Sequence, residues 1–467
     1  MDTIIADVLK ILKDAEDSIS WEERVRSYLS ELVCTLLGTA MECLDDELAE
    51  DWKKEGWRVE RRDARTILST FGPMTFVRRR MEKDDEAGCY PLDTAMGFRA
   101  YKRMTAYCEY LIATIAAGAT YRQTALAVST LTPNTISHQQ VGNIVRSVGT
   151  CCEKQEETEK AAVDVGQELR QPEVLMIEGD AVAIRPQGTQ KHLEIHRYQI
   201  AEGVRKNGKR RELVGTHYVA SFSRQDAMDQ MAAYLGSHYD LRNTIVLSNS
   251  DGGSGYEKEV FDELIGEALR HEHFRDRYHV NQKIKDRAGW AGKALNNALH
   301  KALRERSWER VCTVLDTMAA NAGDERQGEN VEKLRSYLQR NWDYLAGMEE
   351  RRLGKYAGSL GTCESNHRLY SYRMKKQGRR WGQDGGRAMV RLLTALKNGE
   401  LRKAMTETED TFQKKYTPDF RGAVRRALKA VKFQEHEGIK HGNIALNAPS
   451  SSAVGYLAKV LSAGVAC

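Results

Sequence analysis

The chain has 467 residues, of which 41% are hydrophobic and 29% are charged, and its formal net charge is +5. These values exclude a wholly disordered or collagen-like chain, and at roughly 150 residues per domain the length predicts about three domains. The longest apolar stretch, residues 111–119, is far shorter than the roughly 20 residues that span a bilayer. The N-terminus lacks the basic segment of a secretory signal, so we expect a cytoplasmic protein.

Positive charge is concentrated in two segments. Ten Lys and Arg residues stand against two acids between residues 351 and 387, and nine against three between residues 53 and 80. Localised positive fields of this kind suit a polyanion such as DNA. A solvated helix face is the simpler interpretation of either segment alone, but two such segments in one chain favour nucleic acid as a partner.

The first 100 residues predict helices followed by a β-hairpin. Apolar residues recur at helical spacing from residue 3 to about residue 54. Apolar strand patterns then flank Gly72-Pro73, which is typical of a hairpin turn. The outgoing strand ends in three arginines that are candidates for DNA contact: Arg78, Arg79 and Arg80.

Residues 101–150 predict a helix-turn-helix domain. Two helices are indicated, one ending near Gly118 and a short one at 121–129, and Ser137 is a good N-cap for a third. In that third helix an apolar stripe is formed by Val141, Ile144, Val145 and Val148. Other faces carry the polar candidates for DNA contact: His138, Gln139, Asn143 and Arg146. A purely structural three-helix cluster is the alternative.

The pattern changes from helical to strand-rich near residue 173. A connecting helix is predicted over 151–172, and three strands followed by alternating helices and strands predict a mixed α/β sheet over 173–280. The segment HFRDRYHV is consistent with a further strand. A helical insertion is expected over 281–355, a final core segment over 356–400 and a C-terminal helical region over 401–467. The fold class is therefore multidomain α/β.

Two aspartates occupy positions that suggest chemistry. Asp180 lies inside an apolar strand pattern, where burying a carboxylate is costly unless a partner compensates it. Asp251 follows the strand at 244–250, and strand carboxyl ends carry the sites of open α/β sheets. If the strands are neighbours, two Mg²⁺ ions would relieve the repulsion between these hard oxygen ligands. The alternatives are a hydrogen-bonded carboxylate at a strand edge for Asp180 and a turn residue for Asp251.

The order and spacing of these acids resemble a known family. Asp180, Asp251 after 71 residues and Glu364 after a further 113 resemble the acidic triad of DDE transposases, which have an RNase H-like core. Asp276-Arg-Tyr-His279 is similar to the Asp/Cys-x-x-His signature of Mutator-like members. Trp381, within Arg-Arg-Trp-Gly, fits the bacterial members.

Within this family, the chain most resembles the Lre-type bacterial insertion-sequence transposases. The resemblance runs from about residue 57 to 391 and includes Gly-Cys-Tyr-Pro-Leu-Asp at 88–93. One departure is visible, because Asp251 stands in Ser-Asp-Gly-Gly-Ser-Gly-Tyr rather than in the more usual Gly-Asp-Gly followed by an aromatic residue. This departure concerns the fine geometry of the second acid.

Glu364 is assigned through this resemblance. The residues alone favour an ion pair with Arg368 at i+4, and Glu349 and Glu350 are rivals whose pattern is typical of an exposed helix face. Asp276 and His279 have simpler interpretations as an ion-pair partner and a hydrogen-bonded histidine at a strand end. Trp381 is either a core residue or a base-stacking residue.

The resemblance implies a transposase that binds the terminal inverted repeats of a mobile element, hydrolyses phosphodiester bonds at its ends and joins the 3′-hydroxyl to target DNA. Asp180, Asp251 and Glu364 would hold two Mg²⁺ ions, with Mn²⁺ as a substitute, and Asp276, His279 and Trp381 would support the site. A bacterial protein acting at the nucleoid as a homodimer or larger assembly is implied. The DNA backbone would be gripped by a basic set: Arg368, Arg373, Lys375, Lys376, Arg379 and Arg380.

Two alternatives remain open. A regulator derived from a transposase would bind DNA without strand transfer, and an RNase H-like nuclease would cleave without joining. All three classes predict salt-sensitive DNA binding, so cleavage and joining are the activities that separate them.

Overall fold

The computed structural model describes residues 2–161, 168–188, 193–208, 210–356, 360–361, 368–376, 378–406 and 420–430. Met1–Pro418 form one compact unit. Asp419–Cys467 form a second unit, in which the structure describes one helix, Phe420–Ala430.

The N-terminal part contains the predicted helices and hairpin. Its elements are α1 (Asp2–Lys13), α2 (Ser20–Lys54), β1 (Arg58–Ser69), β2 (Gly72–Lys83), β3 (Glu86–Cys89) and α3 (Pro91–Ala95). The hairpin is confirmed, because β1 pairs antiparallel with β2 down to Ser69 opposite Gly72. Gly72 has φ +131°, which an L side chain rarely adopts. The short third strand β3 was not predicted.

Three helices follow, as predicted: α4 (Ala106–Gly118), α5 (Tyr121–Leu131) and α6 (His138–Ala161). Ser137 Oγ accepts the N–H of Gln140 at 3.1 Å, and Gln140 Oε1 accepts the N–H of Ser137 at 2.9 Å, so the cap is reciprocal. The apolar stripe of α6 is buried, as expected: Val141, Ile144, Val145 and Val148.

Helix α6 continues well beyond the predicted recognition helix. It runs unbroken to Ala161, so residues 151–161 extend the same helix and do not form the separate connecting helix predicted over 151–172. The described residues 168–172 are not helical. Its last turns are tied to α13 (Gln383–Asn398), since Arg391 pairs with Glu153 at 2.8 Å and Glu156 at 3.0 Å. The helical cluster and the later part of the chain therefore share one core.

A five-stranded mixed sheet forms the centre of this unit, confirming the predicted α/β class. The strands are β4 (Val174–Ile184), β5 (Leu193–Ala201), β8 (His217–Ser221), β9 (Ile245–Ser250) and β10 (Arg270–Arg275). Their order is β10-β9-β4-β5-β8; β10, β9 and β4 are parallel, whereas β4, β5 and β8 are antiparallel. The chain segment that connects β5 to β8 forms a separate two-stranded hairpin of β6 (Gly203–Asn207) and β7 (Arg210–Val214).

The two faces of the sheet are covered by different helices. Leu175 and Ile177 of β4 pack with α7 (Arg224–His238) and α8 (Lys258–Ile265). Val182 and Ile184 point to the opposite face and pack with α4, α6 and α13. On that same face, Val174 and Met176 belong to a third cluster with Leu353. The alternation of side chains along a strand thus leaves Glu178 and Asp180 between two apolar clusters.

The segment after the sheet is helical. It contains α9 (Arg277–Ala288), α10 (Gly292–Arg304), α11 (Trp308–Ala320) and α12 (Glu325–Arg340), which surround a core of their own. The strand predicted within HFRDRYHV ends at Arg275, because Asp276 caps the following helix through the N–H of Tyr278. His279 therefore lies in the first turn of α9 and not at a strand end. Short 3₁₀ turns occur at Gly289–Ala291, Asp343–Leu345 and Gly354–Tyr356. A π-helical turn occurs at Ser371–Lys375, and residues 401–406 are helical.

Candidate active site

Three aspartates occupy equivalent positions on three neighbouring parallel strands. Gly179 of β4 pairs with Ser250 of β9, and Ser250 pairs with Arg275 of β10. The next residue in each case is an aspartate: Asp180, Asp251 and Asp276. Asp251 and Asp276 directly follow their strands, and the register places them beside Asp180, which lies within β4. The backbone N–H of Asp276 extends this register by donating to the Ser250 carbonyl at 2.9 Å.

Asp180 is a buried carboxylate, with 7% of its surface exposed. Its Oδ1 accepts the N–H of Ala181 at 2.7 Å, and its carbonyl accepts the hydroxyl of Tyr256 at 3.0 Å. Arg197 of β5 lies opposite Asp180 in the antiparallel register and is also buried. A cation on the neighbouring strand offsets part of the free-energy cost of burying the Asp180 carboxylate.

The glycine after Asp251 is explained by a buried arginine. Gly252 has φ +76°, and a Cβ at this position would overlap the guanidinium of Arg275. Arg275 Nη1 donates to Ser250 Oγ at 3.1 Å, and burial lowers its pKa against the opposing charge of Asp251. Asp251 Oδ1 accepts the N–H of Gly253 at 2.7 Å. The glycine-rich segment therefore permits a close approach of Arg275 to the second acid.

His279 faces the three carboxylates. Its Nδ1 lies 3.0 Å from Asp276 Oδ2, while Asp276 Oδ1 accepts the N–H of Tyr278 at 3.0 Å. The hydrogen bond with Asp276 and the charges of Asp180 and Asp251 raise the pKa of His279, against the opposing effect of burial. The imidazolium form is therefore favoured beside this acidic edge.

Glu178 was not recognised in the sequence, although it lies two residues before Asp180 on the same face of β4. It is 2% exposed and accepts hydrogen bonds from Gln199 of β5 and Asn249 of β9, both at 3.1 Å. The alternation in Glu178-Gly-Asp180 was a signal for it, because residues two apart on a strand share a face.

The third predicted acid, Glu364, lies outside the described residues. Its rivals are described: Glu350 pairs with Arg306 at 3.3 Å, and Glu349 contacts Gly354. Both belong to turns and not to the predicted exposed helix face. In the described part of the chain, no three His, Cys, Asp or Glu side chains are grouped so that they could hold a metal ion by themselves.

The basic residues after position 367 fall into two groups. Arg373 is buried, donates to the Ala116 carbonyl at 2.9 Å and lies over the rings of Tyr121 and Trp381. Burial and the charge of Arg379 lower the pKa of Arg373 to about 10. Arg379 is half-buried and donates to the Arg373 carbonyl at 2.6 Å. The remaining predicted DNA contacts of this segment are exposed: Arg368, Lys375, Lys376 and Arg380.

Trp381 is a core residue in this structure, with 7% of its surface exposed. Its Nε1 donates to the Met374 carbonyl at 3.0 Å, and its backbone forms a β-bridge to Pro186 just beyond β4. This placement favours the simpler of the two interpretations of Trp381.

The three consecutive arginines of β2 are engaged within the N-terminal part. Arg78 pairs with Asp93 at 3.1 Å, Arg79 with Asp45 at 2.8 Å and Arg80 with Glu60. Arg78 also stacks over the ring of Tyr90. These contacts hold the hairpin against α2 and α3.

The predicted recognition surface of α6 is exposed along its first turns. All four of its predicted members are exposed: His138, Gln139, Asn143 and Arg146. Arg146 Nη1 donates to Asn143 Oδ1 at 2.9 Å, so the two side chains form a small polar platform. Tyr121 at the start of α5 packs against Gly142, which keeps the α5–α6 turn close.

Comparisons with known proteins place the chain in a family. In the described residues, none of the helices has the length and apolar character required to cross a membrane. A structure of the Drosophila P element transposase strand transfer complex aligns with 72% of this chain and 93% of that one, at 9% identity and a TM-score of 0.23. A protein of Caldanaerobacter subterraneus subsp. tengcongensis, named as a UPF0236 protein, is 23% identical over 90% of this chain and 86% of its own length.

A UPF0236 protein in the vanSb 3′ region of Streptococcus gallolyticus is 34% identical over 98% of this chain and 99% of its own length. The model of the uncharacterised protein family UPF0236 matches residues 17–411. The chain belongs to the UPF0236 family.

Proposed function

We propose that this protein is a DNA transposase whose central sheet is an RNase H-like catalytic core. The observation that carries the proposal is the shared register of Asp180, Asp251 and Asp276 at one edge of three parallel strands. The strand order supports it, since three antiparallel strands followed by two strands parallel to the first is the arrangement expected of an RNase H-like fold. The helices α9–α12 after β10 then correspond to the helical insertion.

The donor set suits two Mg²⁺ ions, with Mn²⁺ as a substitute. Asp180 and Asp251 are carboxylates, the hard oxygen ligands that Mg²⁺ prefers, and the raised pKa of His279 indicates that this edge attracts positive charge. When bound, such ions supply positive charge to the attacking and leaving oxygens of a phosphodiester.

Glu364 is proposed as the third acid on the grounds of its position in the sequence. The N–H of Gly361, three residues earlier, donates to Glu178 Oε2 at 3.1 Å. Gly361, the last described residue before Glu364, therefore lies beside Glu178, on the face of β4 that also carries Asp180.

The remaining residues position the substrate. His279 in its imidazolium form donates a charge-assisted hydrogen bond to an anionic oxygen when a phosphodiester enters, and Asp276 holds the ring in place. Lys375, Lys376 and Arg380 are exposed and provide salt-sensitive contacts to the DNA backbone. Water attacks at an element end and releases a 3′-hydroxyl, which then attacks the target strand.

The exposed face of α6 is proposed to read the terminal inverted repeats. Its N-terminal residues lie in the part of a recognition helix that contacts base edges in the major groove. Asn143→Ala and Arg146→Ala should each lower affinity for the element end more than affinity for unrelated DNA, as measured by competition binding at fixed salt. The two ends have to be brought together, so a homodimer or larger assembly is also proposed, with α9–α12 and the chain after Glu400 as its contacts.

The decisive experiment incubates the purified protein with labelled element ends in Mg²⁺ or in EDTA. Asp180→Asn, Asp251→Asn and Glu364→Gln should bind DNA yet lose both cleavage and joining. Asp286→Asn, an exposed substitution on α9, is the matched control and should keep both activities.

Each alternative has its own outcome in the same experiment. Cleavage without joining would favour an RNase H-like nuclease. Binding without cleavage by the wild type would replace the transposase with a transposase-derived regulator. An active Glu364→Gln variant would remove Glu364 from the site and leave the two aspartates in place.

A further inference from the structure

Glu178 is the centre of a buried polar cluster that joins four segments of the chain. Its Oε1 accepts from Gln199 Nε2 of β5, and its Oε2 accepts from Asn249 Nδ2 of β9, each at 3.1 Å. The backbone N–H of Gly361 donates to the same Oε2, also at 3.1 Å. Glu178 itself is in β4, so one carboxylate joins three strands and the chain at Gly361.

This cluster lies two residues before the acids of the candidate site along β4 and β9. Glu178 pairs in register with Asn249 of β9 and with Gln199 of β5. Asp180 and Asp251 follow Glu178 and Asn249 by two residues, and residues two apart on a strand share a face. The hydrogen bond between Glu178 and Asn249 therefore fixes the register of β4 against β9 next to Asp180 and Asp251.

The cluster requires acceptor oxygens at position 178. Glu178 is 2% exposed, and Gln199 and Asn249 are each 3% exposed, so water does not substitute for the partners. Both oxygens of Glu178 accept hydrogen bonds from N–H donors. A methionine of similar size offers these N–H groups only a weak acceptor. Leaving buried N–H donors without an acceptor raises the free energy of the folded state.

We propose that Glu178 is a positioning residue that sets the placement of Asp180 relative to Asp251 and ties the chain at Gly361 to them. This inference rests on the proposed function for its consequence in catalysis. The contacts themselves are independent of that function. Glu178 lies beneath the acidic edge, so its effect on DNA chemistry is exerted through the residues that it holds.

The test uses the full-length chain and two measurements. Glu178→Met, which removes both acceptor oxygens at similar side-chain size, should leave DNA binding within about twofold, because the proposed DNA-contacting surfaces are elsewhere. It should lower the cleavage rate at saturating DNA and Mg²⁺ by about tenfold or more. In the same variant the amide of Gly361 should exchange with deuterium about tenfold faster or more, since its acceptor is no longer present. Glu194→Gln, an exposed glutamate on β5, is the matched control and should change neither value.

A conservative variant distinguishes positioning from a general loss of stability. Glu178→Gln keeps one carbonyl oxygen that can accept from both Asn249 and Gly361, and the amide of Gln199 can turn to accept from the new NH2 group. This variant should therefore retain slow exchange at Gly361 and most of the cleavage rate. If Glu178→Met does not fold, Asn249→Ala removes one donor only and should give an intermediate loss of cleavage.

Unchanged exchange at Gly361 in Glu178→Met would overturn the inference, as would a Glu178→Gln variant that loses cleavage as fully as Glu178→Met. If the wild type does not cleave DNA, the proposed function fails. Deuterium exchange at the Gly361 amide in the two Glu178 variants then decides by itself whether Glu178 holds Gly361 against the sheet.

Discussion

Asp276 uses its two carboxylate oxygens for two tasks: Oδ1 accepts the N–H of Tyr278 at 3.0 Å, and Oδ2 lies 3.0 Å from Nδ1 of His279. The first contact caps α9, and the second orients a histidine that also experiences the charges of Asp180 and Asp251. The Asp-x-x-His spacing is thus explained by helix geometry, because the capping residue and the third residue of the first turn lie side by side.

Replacing Asp276 with Asn should lower the pKa of His279, because the variant removes the largest contribution that raises it and retains the helix cap. A histidine whose pKa is raised in the folded state stabilises the protein below its ordinary pKa of 6.5, and this stabilisation is lost as the pH rises through the higher folded value. The variant should therefore be destabilised by about 1–3 kcal/mol near pH 6 and less at pH 9.

NMR titration of the histidine ring protons measures the first effect, and urea unfolding at the two pH values measures the second. His300 on α10, whose pKa is lowered by burial, serves as an internal reference that should not move. An unchanged His279 titration in Asp276→Asn would contradict the proposed pairing.

Arg373 and Lys375 should behave differently although they are two residues apart. Arg373 is buried and donates to the Ala116 carbonyl, so Arg373→Ala should destabilise the fold by about 1–3 kcal/mol through the loss of packing and of the acceptor's hydrogen bond. Lys375→Gln with Lys376→Gln should leave the unfolding free energy within about 0.5 kcal/mol, because both side chains are exposed.

DNA binding at several salt concentrations completes the comparison. The double lysine variant should bind less tightly, and its salt slope should be smaller by about one for each phosphate that these lysines neutralise in the wild type. An equal salt slope in wild type and variant would remove these lysines from the DNA-binding surface.

Arg79→Ala should destabilise the N-terminal part without weakening DNA binding. Arg79 pairs with Asp45, which is 2% exposed and whose pKa is raised by burial to about 6. Removing the cation leaves a buried carboxylate unpaired, at a cost of about 3–5 kcal/mol at neutral pH. An acid with a raised folded pKa stabilises the protein at low pH and loses this contribution as the pH rises through the folded value, so the penalty should shrink near pH 4.

Denaturant unfolding of Arg79→Ala at pH 4 and pH 7 tests this assignment. Arg62→Ala is the matched control, since Arg62 is an exposed arginine on the neighbouring strand. A loss of DNA affinity in Arg79→Ala with unchanged stability would restore the sequence-based interpretation of Arg79 as a DNA-binding residue.

Gly149→Ala should destabilise the protein by about 1–3 kcal/mol, because α6 and α13 approach each other at this glycine. An added Cβ would lie 2.6 Å from the Cα of Ala388, which is backbone and has little room to move. Gly118→Ala, at the end of α4, is the control, because no atom lies within 4 Å of its added Cβ. Thermal unfolding of both variants measures the difference, and equal midpoints would show that the helices do not meet here.

Sequence patterns determined the elements whose bonds are local. The hairpin at Gly72-Pro73, the reciprocal cap at Ser137 and the buried stripe from Val141 to Val148 all depend on residues a few positions apart, so periodicity and capping chemistry identify them. The position of Asp180 inside a strand is likewise predicted from the apolar residues that surround it in the sequence. The end of β10 was misjudged, because the capping bond of Asp276 outweighs the strand pattern that surrounds it.

Tertiary structure decided the features that depend on register and burial. Asp180, Asp251 and Asp276 are separated by tens of residues, and only the pairing of three strands shows that they are equivalent. The same holds for Glu178, whose partners come from two other strands and from Gly361. The sequence presents Arg373 and Lys375 as similar cations, whereas packing buries the first and exposes the second. A local pattern specifies which side chains share a face, but long-range pairing specifies which faces meet.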